Sequence, residues 1–169
     1  MKTVDYTAFH PELFAKMTRQ GAFLTTKGAD GTINTMTIGW GSIGYYWRKP
    51  VFTCVVRQSR HTDKLINENP VFTVSVPKDG ALDQALKICG TTSGRAGDKF
   101  AACGLTAQPG QAVDCPVVGE AWLHFECRIV AKTLLSEDCL DPEIMGTWYK
   151  DHDLHVAYYG EIVACYENE

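Results

Sequence analysis

The chain of 169 residues lacks several patterns that would assign a function directly. Its seven cysteines include no Cys-x-x-Cys pair, so the ligand spacings of zinc and iron–sulfur sites are missing. No Gly-x-Gly-x-x-Gly follows a strand pattern, which argues against a Rossmann nucleotide site. No apolar run is long enough for a membrane span, and the first residues do not have the layout of a signal peptide. We therefore expect a cytoplasmic protein with reduced, mostly buried thiols and no membrane partner.

An excess of positive charge is also absent. The formal net charge is -4, which argues against a nucleic-acid backbone as the main partner. The chain has no low-complexity segment and is long enough to bury a full core without disulfide bonds. We predict a single domain over residues 1–169.

Segments typical of β-strands dominate the pattern of the chain. Strands are predicted at residues 21–27, 33–38, 51–56, 71–77, 121–135 and 154–166. Helices are predicted at residues 11–17, 63–68 and 81–88, with a further short helix capped by Asp98. Residues 28–31 are typical of a hairpin turn, and residues 45–50 are predicted to form an aromatic loop. Since strands outnumber helices and no βαβ rhythm is sustained, the fold class is mainly β (α+β), an antiparallel barrel with a few capping helices.

A basic turn rich in hydroxyl groups lies between the strand at 51–56 and the helix at 63–68. Its polar side chains are those of Arg57, Ser59, Arg60, His61 and Thr62. The start of a helix offers free backbone N–H groups and the positive end of the dipole, to which these side chains add charge and direction. The turn therefore predicts a site for one phosphate group. The alternatives are an exposed strand end whose arginines pair with Asp63, and a helix cap made by Ser59 or Thr62.

Four stretches, in register over roughly residues 21–163, resemble the flavin reductase-like family of FMN-binding split β-barrels, including flavoredoxin-type proteins. They are Asn34-Thr35-Met36-Thr37-Ile38-Gly39-Trp40-Gly41, Arg57-Gln58-Ser59-Arg60-His61-Thr62, Ser93-Gly94-Arg95-Ala96-Gly97-Asp98-Lys99-Phe100 and Leu123-His124-Phe125-Glu126-Cys127-Arg128. The resemblance implies an antiparallel split β-barrel and a homodimer with two FMN molecules near the subunit interface. It also implies transfer of electrons or hydride through the flavin. The apolar strands at 52–56 and 122–130 are candidates for the dimer contact, with the barrel core as the alternative.

Each part of an FMN needs a different kind of partner. The basic turn can hold the phosphate, while the resemblance places the ring along residues 34–37 and Lys99 near the polar edge of the ring. Trp40 and the aromatic loop at 45–50 are candidates for the apolar wall. The alternatives are an ordinary edge strand at 34–37, a core position for Trp40 and a surface position for Lys99. The expected cofactor-binding residues are Asn34, Thr35, Met36, Thr37, Trp40, Ser42, Arg57, Ser59, Arg60, His61, Thr62 and Lys99.

The resemblance predicts an oxidoreductase that passes electrons from NAD(P)H or another donor to flavin or a small acceptor. No side chain is expected to act as a catalytic nucleophile or obligatory acid, because the chemistry belongs to the flavin. The alternatives are an FMN electron carrier for a redox protein partner and a flavin storage or sensing module. The acidic and histidine-containing segment at 151–155 has the residue types of a metal site, but an ordinary acidic loop explains it as well, and no metal is expected.

Overall fold

The computed structural model describes residues 1–168, which form one large antiparallel sheet, a small two-stranded sheet and five helices. The strands are β1 Lys2–Thr3, β2 Ala22–Lys27, β3 Ile33–Ile38, β4 Gly41–Tyr46, β5 Lys49–Arg57, β6 Val71–Val76, β7 Ala107–Gln108, β8 Val117–Val118, β9 Leu123–Leu134 and β10 His155–Glu167. The helices are α1 His10–Arg19, α2 His61–Glu68, α3 Asp83–Thr91, α4 Lys99–Cys103 and α5 Pro142–Trp148. Short 3-10 turns lie at Tyr6–Phe9 and Glu137–Cys139. The predicted mainly β, antiparallel architecture is confirmed.

The main sheet follows the order β3-β2-β6-β9-β10-β5-β4, and β1 pairs with β10. Its two longest strands, β9 and β10, pair along most of their length, with register shifts at residues 159–160 and 162–164. Such irregularities bend a strand and increase its twist. At the first shift, a Cβ on Gly160 would lie 2.5 Å from the Phe72 ring, so a glycine is needed where the sheet bends over the core.

The core lies inside this curved sheet and is built from alternate residues of its strands. Phe52, Phe72 and Phe125 are fully buried, with the ring of Phe52 at centroid distances of 6.3 Å and 5.6 Å from the other two. Fully burying one such side chain contributes about 1.5–3 kcal/mol. The inward faces of β5 and β9 therefore pack within the subunit. This agrees with the expectation that these strands contribute to the barrel core, which was the alternative to a dimer contact.

The predicted aromatic loop at residues 45–50 is wrong, because these residues form a tight hairpin. β4 ends at Tyr46 and β5 begins at Lys49, so Trp47 and Arg48 alone make the turn. Both have positive φ angles, 51° and 58°, as two-residue turns of the mirror-image type require. Such turns normally carry glycine or asparagine, and the sequence gives no such signal here.

Four of the helices, α1 to α4, lie near their predicted positions, whereas α5 was not predicted. α3 begins at Asp83 rather than at residue 81 and ends at Thr91, three residues later than predicted. α4 begins as predicted, because the Asp98 carboxylate accepts hydrogen bonds from the amides of Phe100 and Ala101. Within residues 1–168, no helix is both long enough and apolar enough to cross a membrane.

Candidate functional site

A cavity of about 470 Å³ lies where β3, the turn after β5 and the segment joining α3 to α4 meet. Four cationic side chains line it, and none of the described lining residues is a carboxylate. Such a donor set suits an anionic ligand. The lining residues are Asn34, Met36, Thr37, Ile38, Gly39, Trp40, Val55, Arg57, Ser59, Arg60, His61, Thr62, Cys89, Gly90, Thr92, Ser93, Gly94, Arg95, Lys99, Trp148 and His155.

The start of α2 opens into this cavity without a side-chain cap. Its N-cap is Arg60, with extended backbone angles and no capping hydrogen bond from its own side chain. The cap alternative is wrong, since the Ser59 hydroxyl donates to Asp153 at 2.5 Å and the Thr62 hydroxyl accepts from the Asn34 amide at 2.9 Å. The first amides of a helix have no intrahelical partner, so this end of α2 can receive an anion.

Arg57 lies in the cavity wall, but its guanidinium is already engaged. It pairs with Asp151 at 3.0 Å, donates to the carbonyl oxygens of Trp148 (2.6 Å) and Asp153 (3.1 Å), and lies 5.3 Å from the centre of the Tyr149 ring. The alternative in which Arg57 pairs with Asp63 is therefore wrong, because its carboxylate partner is Asp151. Arg57 holds the segment after α5 against the end of β5.

Arg60 and Arg95 are the exposed arginines of the cavity. Within residues 1–168, Arg60 forms no ion pair and no side-chain hydrogen bond. Arg95 donates one hydrogen bond, from its guanidinium to the carbonyl oxygen of Ser59 at 2.8 Å, which holds it beside the start of α2. Both guanidinium groups therefore keep donors for an anionic ligand.

His61 and Gly94 form a close contact region behind this helix start. The Nδ1 atom of His61 is buried and has no hydrogen-bond partner among the described residues. Burial, together with the positive charges of Arg95, Lys64 and Lys99, lowers the pKa of His61. A Cβ on Gly94 would lie 2.0 Å from Asn34 Oδ1, so this position requires glycine. An orphaned buried nitrogen in the cavity wall fits a bound polar ligand.

Lys99 is buried in the cavity wall, and the surface alternative for it is wrong. Only 5% of the residue is exposed, and its Nζ donates to the carbonyl oxygens of Cys89 (3.3 Å) and Thr92 (3.1 Å). Burial lowers its pKa, against an opposing effect of the Cys89 and Cys103 thiols. The cavity thus holds one ammonium group that two carbonyl dipoles fix in position.

Strand β3 contributes side chains both to the cavity lining and to the buried interior. Asn34, Met36 and Thr37 line the cavity, and the Thr37 hydroxyl donates to the Leu86 carbonyl oxygen at 2.6 Å, which joins β3 to α3. The Thr35 side chain is fully buried and bonds to Thr25 at 3.1 Å, away from the cavity. Ser42 is exposed on β4, outside the cavity. The structure thus leaves these two predicted site residues outside the lining set.

An aromatic group forms the far wall. Trp40 is 42% exposed, so its core alternative is wrong; its ring lies 5.1 Å from that of Trp148 and 5.2 Å from that of His155. His155 Nδ1 lies 2.8 Å from the Tyr149 hydroxyl. Burial, and then the nearby charge of Arg57, lowers the pKa of His155 to about 4, so its ring is neutral at neutral pH.

Several lining residues were missed in the sequence. Ser93, Gly94 and Arg95 lie in one of the stretches that carry the resemblance, so that stretch was the available signal. Trp148 and His155 had no signal in the sequence, because only the fold brings them next to Trp40. Within residues 1–168 there is no cluster of three or more potential metal ligands, and in the segment at 151–155 the polar groups are used within the protein.

Residues 14–169 match the family described as flavin reductase like domain. The chain belongs to this family. The uncharacterized protein YddH of Escherichia coli (strain K12) is 32% identical over 108 residues, which cover 62% of this chain and 55% of YddH. The chain thus spans about half the length of this curated relative.

Solved structures of the flavin reductase-like family share the fold. Flavoredoxin of Desulfovibrio vulgaris (Miyazaki F) superposes with a TM-score of 0.70 at 26% identity, covering 88% of this chain and 69% of that one. An FMN-binding domain of a flavin reductases-like enzyme from Shewanella baltica superposes with a TM-score of 0.65 at 18% identity, covering 97% of this chain and 75% of that one. The predicted family and split-barrel fold class are confirmed.

Proposed function

We propose that this flavin reductase-like domain, taken as one domain over residues 1–169, binds FMN in the cavity and acts as an oxidoreductase. It passes electrons from NAD(P)H or another donor to flavin or a small acceptor. The observation that carries this proposal is one cavity that combines the uncapped start of α2 with four cationic side chains and, among the described lining residues, no carboxylate. The family match and the names of the structural relatives support the same ligand class.

The phosphate is assigned to the start of α2. The Arg60 guanidinium has no partner among residues 1–168 and is available for a charge-assisted hydrogen bond. The amides of His61 and Thr62 belong to the open first turn, and Arg95 lies beside them. Arg57 and Ser59 have a supporting role in this assignment, because both are bonded to the 151–153 segment. They fix the turn from which the phosphate ligands project.

The flavin ring is assigned to the rest of the cavity, between β3 and the end of α3. A bound flavin supplies the redox chemistry, since it accepts and releases electron pairs. Asn34, Met36 and Thr37 offer one side of the site, Trp40 offers an aromatic wall and Lys99 offers a fixed positive charge. These residues bind, orient and polarise, and none of them has to act as a nucleophile.

The phosphate assignment is tested by calorimetric titration with FMN and with riboflavin, which lacks the phosphate. Arg60→Ala should weaken FMN by about 1.5–3 kcal/mol, the value of a hydrogen bond to a charged group, and leave riboflavin unchanged. Arg57→Ala should weaken both ligands, because it releases the segment held by Asp151. Lys64→Ala is the matched control, since Lys64 is exposed and paired with Glu68. Equal losses for both ligands in Arg60→Ala would contradict the assignment.

The second candidate function is an electron carrier that serves a redox protein partner. The half-exposed Trp40 and Trp148 rings favour it, because they leave an aromatic surface at the mouth of the cavity. Stopped-flow mixing of the flavin-loaded protein with NADH and with NADPH separates the two functions. Rapid bleaching of the visible flavin band supports the oxidoreductase, whereas inertness towards both nucleotides supports the carrier.

We also propose a homodimer located in the cytoplasm. Phe52, Cys54 and Val56 are buried within the subunit, which leaves Thr53, on the other face of β5, for a partner, while Val55 on that same face lines the cavity. A stable dimer of this kind needs about 2,000 Å² of total buried area. Light scattering that finds a monomer at micromolar concentration with FMN bound would contradict the dimer.

A further inference from the structure

Two of the seven cysteines lie side by side, although no sequence motif links them. Cys89, in the last turns of α3, and Cys103, at the end of α4, are fourteen positions apart, and their Sγ atoms are separated by 4.0 Å. Both are free thiols. A disulfide needs about 2.05 Å between its sulfur atoms, so a movement of about 2 Å brings these two into bonding distance.

We propose that Cys89 and Cys103 form an oxidisable dithiol, whose closure to a disulfide joins α3 to α4 beside the cavity. The pair differs from the other cysteines in geometry and access. Cys103 is half-buried, so a small oxidant can reach it, whereas Cys54 and Cys127 are fully buried in the core. Cys139 is exposed, and its thiol donates to the carbonyl oxygen of Ser136.

The oxidant we assign is a low-molecular-weight disulfide such as oxidised glutathione. The Cys103 thiolate attacks one of its sulfur atoms, which breaks that S–S bond and releases one glutathione thiol. The Cys89 thiolate then attacks the Cys103 sulfur, forming the internal disulfide and releasing the second glutathione thiol. The two protein thiols lose two electrons and two protons, and the oxidant is reduced to two thiols.

The surroundings of the pair set the rate of the second step. Burial raises the pKa of Cys89 to about 12, with a further increase from Cys103, so little thiolate is present at neutral pH. The ammonium group of Lys99 acts in the opposite direction and favours the thiolate. Closure should therefore be slow near pH 7 and faster at pH 9, because the thiolate is the attacking species.

The disulfide would act on the cavity through the segment that it encloses. This segment carries Gly90, Ser93, Gly94, Arg95 and Lys99, all of which line the cavity. Lys99 also bridges the two helices, since its ammonium group bonds to the Cys89 and Thr92 carbonyl oxygens. Drawing the sulfur atoms together shifts these contacts, so oxidation should weaken FMN by about fivefold, the loss of one hydrogen bond. This consequence rests on the proposed function.

The dithiol is tested in a Cys139→Ser background, which removes the exposed thiol and leaves six of the seven cysteines. After incubation with oxidised glutathione, thiol titration in denaturant should fall from six to four. Mass spectrometry should then find the Cys89 and Cys103 peptides linked and two hydrogens lighter, and dithiothreitol should restore six thiols. The added Cys103→Ser variant should show no linked peptide. A count that stays at six, or a loss due to glutathione adducts alone, would overturn the dithiol.

The effect on the cavity is measured separately, by FMN titration of the reduced and oxidised forms. A fivefold weaker Kd after oxidation, absent in the Cys103→Ser variant, supports the coupling, and equal Kd values within twofold would overturn it. The thiol count needs no flavin. Failure of the protein to bind FMN in either form would therefore reject the proposed function without affecting the result for the dithiol.

Discussion

Replacing Lys99 with methionine tests how the buried ammonium group acts on a bound flavin. Methionine is similar in length and removes the charge. Two-electron reduction adds negative charge to the polar edge of the flavin ring, so a positive charge there favours the reduced form and raises the midpoint potential. If Lys99 faces that edge as proposed, Lys99→Met should lower the potential while most of the FMN affinity remains.

The expected magnitude follows from Coulomb's law and from the burial of Lys99. Two unit charges ~4 Å apart at an effective dielectric of about 20 interact by about 4 kcal/mol. Solvent at the open side of the cavity, and the two carbonyl groups bonded to Nζ, reduce this to ~1–2 kcal/mol. For a two-electron couple, ~1.4 kcal/mol corresponds to ~30 mV, so a decrease of a few tens of millivolts is expected.

The assay is a dye-coupled reductive titration of the flavin-loaded wild type and variants. Lys64→Met is the matched control, because the Lys64 side chain is 60% exposed and pairs with Glu68. Lys99→Arg keeps the charge and should stay near the wild-type potential. Since burial lowers the pKa of Lys99, the difference between wild type and Lys99→Met should shrink as the pH rises towards the alkaline range. A Lys99→Met potential within ~10 mV of the wild type at neutral pH would refute the reasoning.

Three further predictions concern packing and protonation. Gly94→Ala should weaken FMN binding at least tenfold in calorimetry, because its Cβ would meet Asn34 Oδ1 at 2.0 Å. Gly146→Ala is the control and should leave FMN affinity unchanged, because its Cβ would meet no described atom within 4 Å. Glu126→Gln should lower the free energy of unfolding in urea by about 1–3 kcal/mol, since this buried carboxylate accepts from three backbone amides and a tyrosine hydroxyl. Burial lowers the pKa of His124 to about 4, so the unfolded chain binds more protons between pH 4 and 6.5. The contribution of His124 to stability should therefore be about 2 kcal/mol lower at pH 5 than at pH 8, and a wild-type stability that does not fall over this range would contradict it.

The fold could be predicted from the sequence wherever local chemistry and burial pattern agree. The β2–β3 hairpin is an example, since Gly31 takes a φ of 85° in the turn that glycine predicted. The β4–β5 hairpin was missed, because Trp47 and Arg48 occupy left-handed positions that such residues rarely take. There the pairing of the two strands overrides the local preference of the turn. The sheet order was also beyond the sequence, because it depends on contacts between distant segments.

The candidate site was predictable where its residues are close in the chain, and not elsewhere. The start of α2 supplies Arg60, His61 and Thr62 from one short turn, so the residue types of this turn predicted an anion site. The opposite wall joins Trp40 to Trp148 across more than a hundred residues, and no local pattern records that contact. The expectation for Thr35 took residues 34–37 as one continuous stretch, whereas a strand directs successive side chains to opposite faces, and the Thr35 side chain is buried against Thr25.

The two arginines of the basic turn show why charge alone does not assign a ligand. Arg57 and Arg60 are three residues apart and looked equivalent in the sequence. Pairing of β10 with β5 sets His155 opposite Arg57, and this register carries the acidic segment just before β10 to the Arg57 guanidinium. Arg60, beyond the end of β5, meets no such segment within the described residues. The acidic segment before β10 thus neutralises Arg57 and leaves Arg60 for a ligand. The FMN and riboflavin titrations should therefore separate Arg57→Ala from Arg60→Ala.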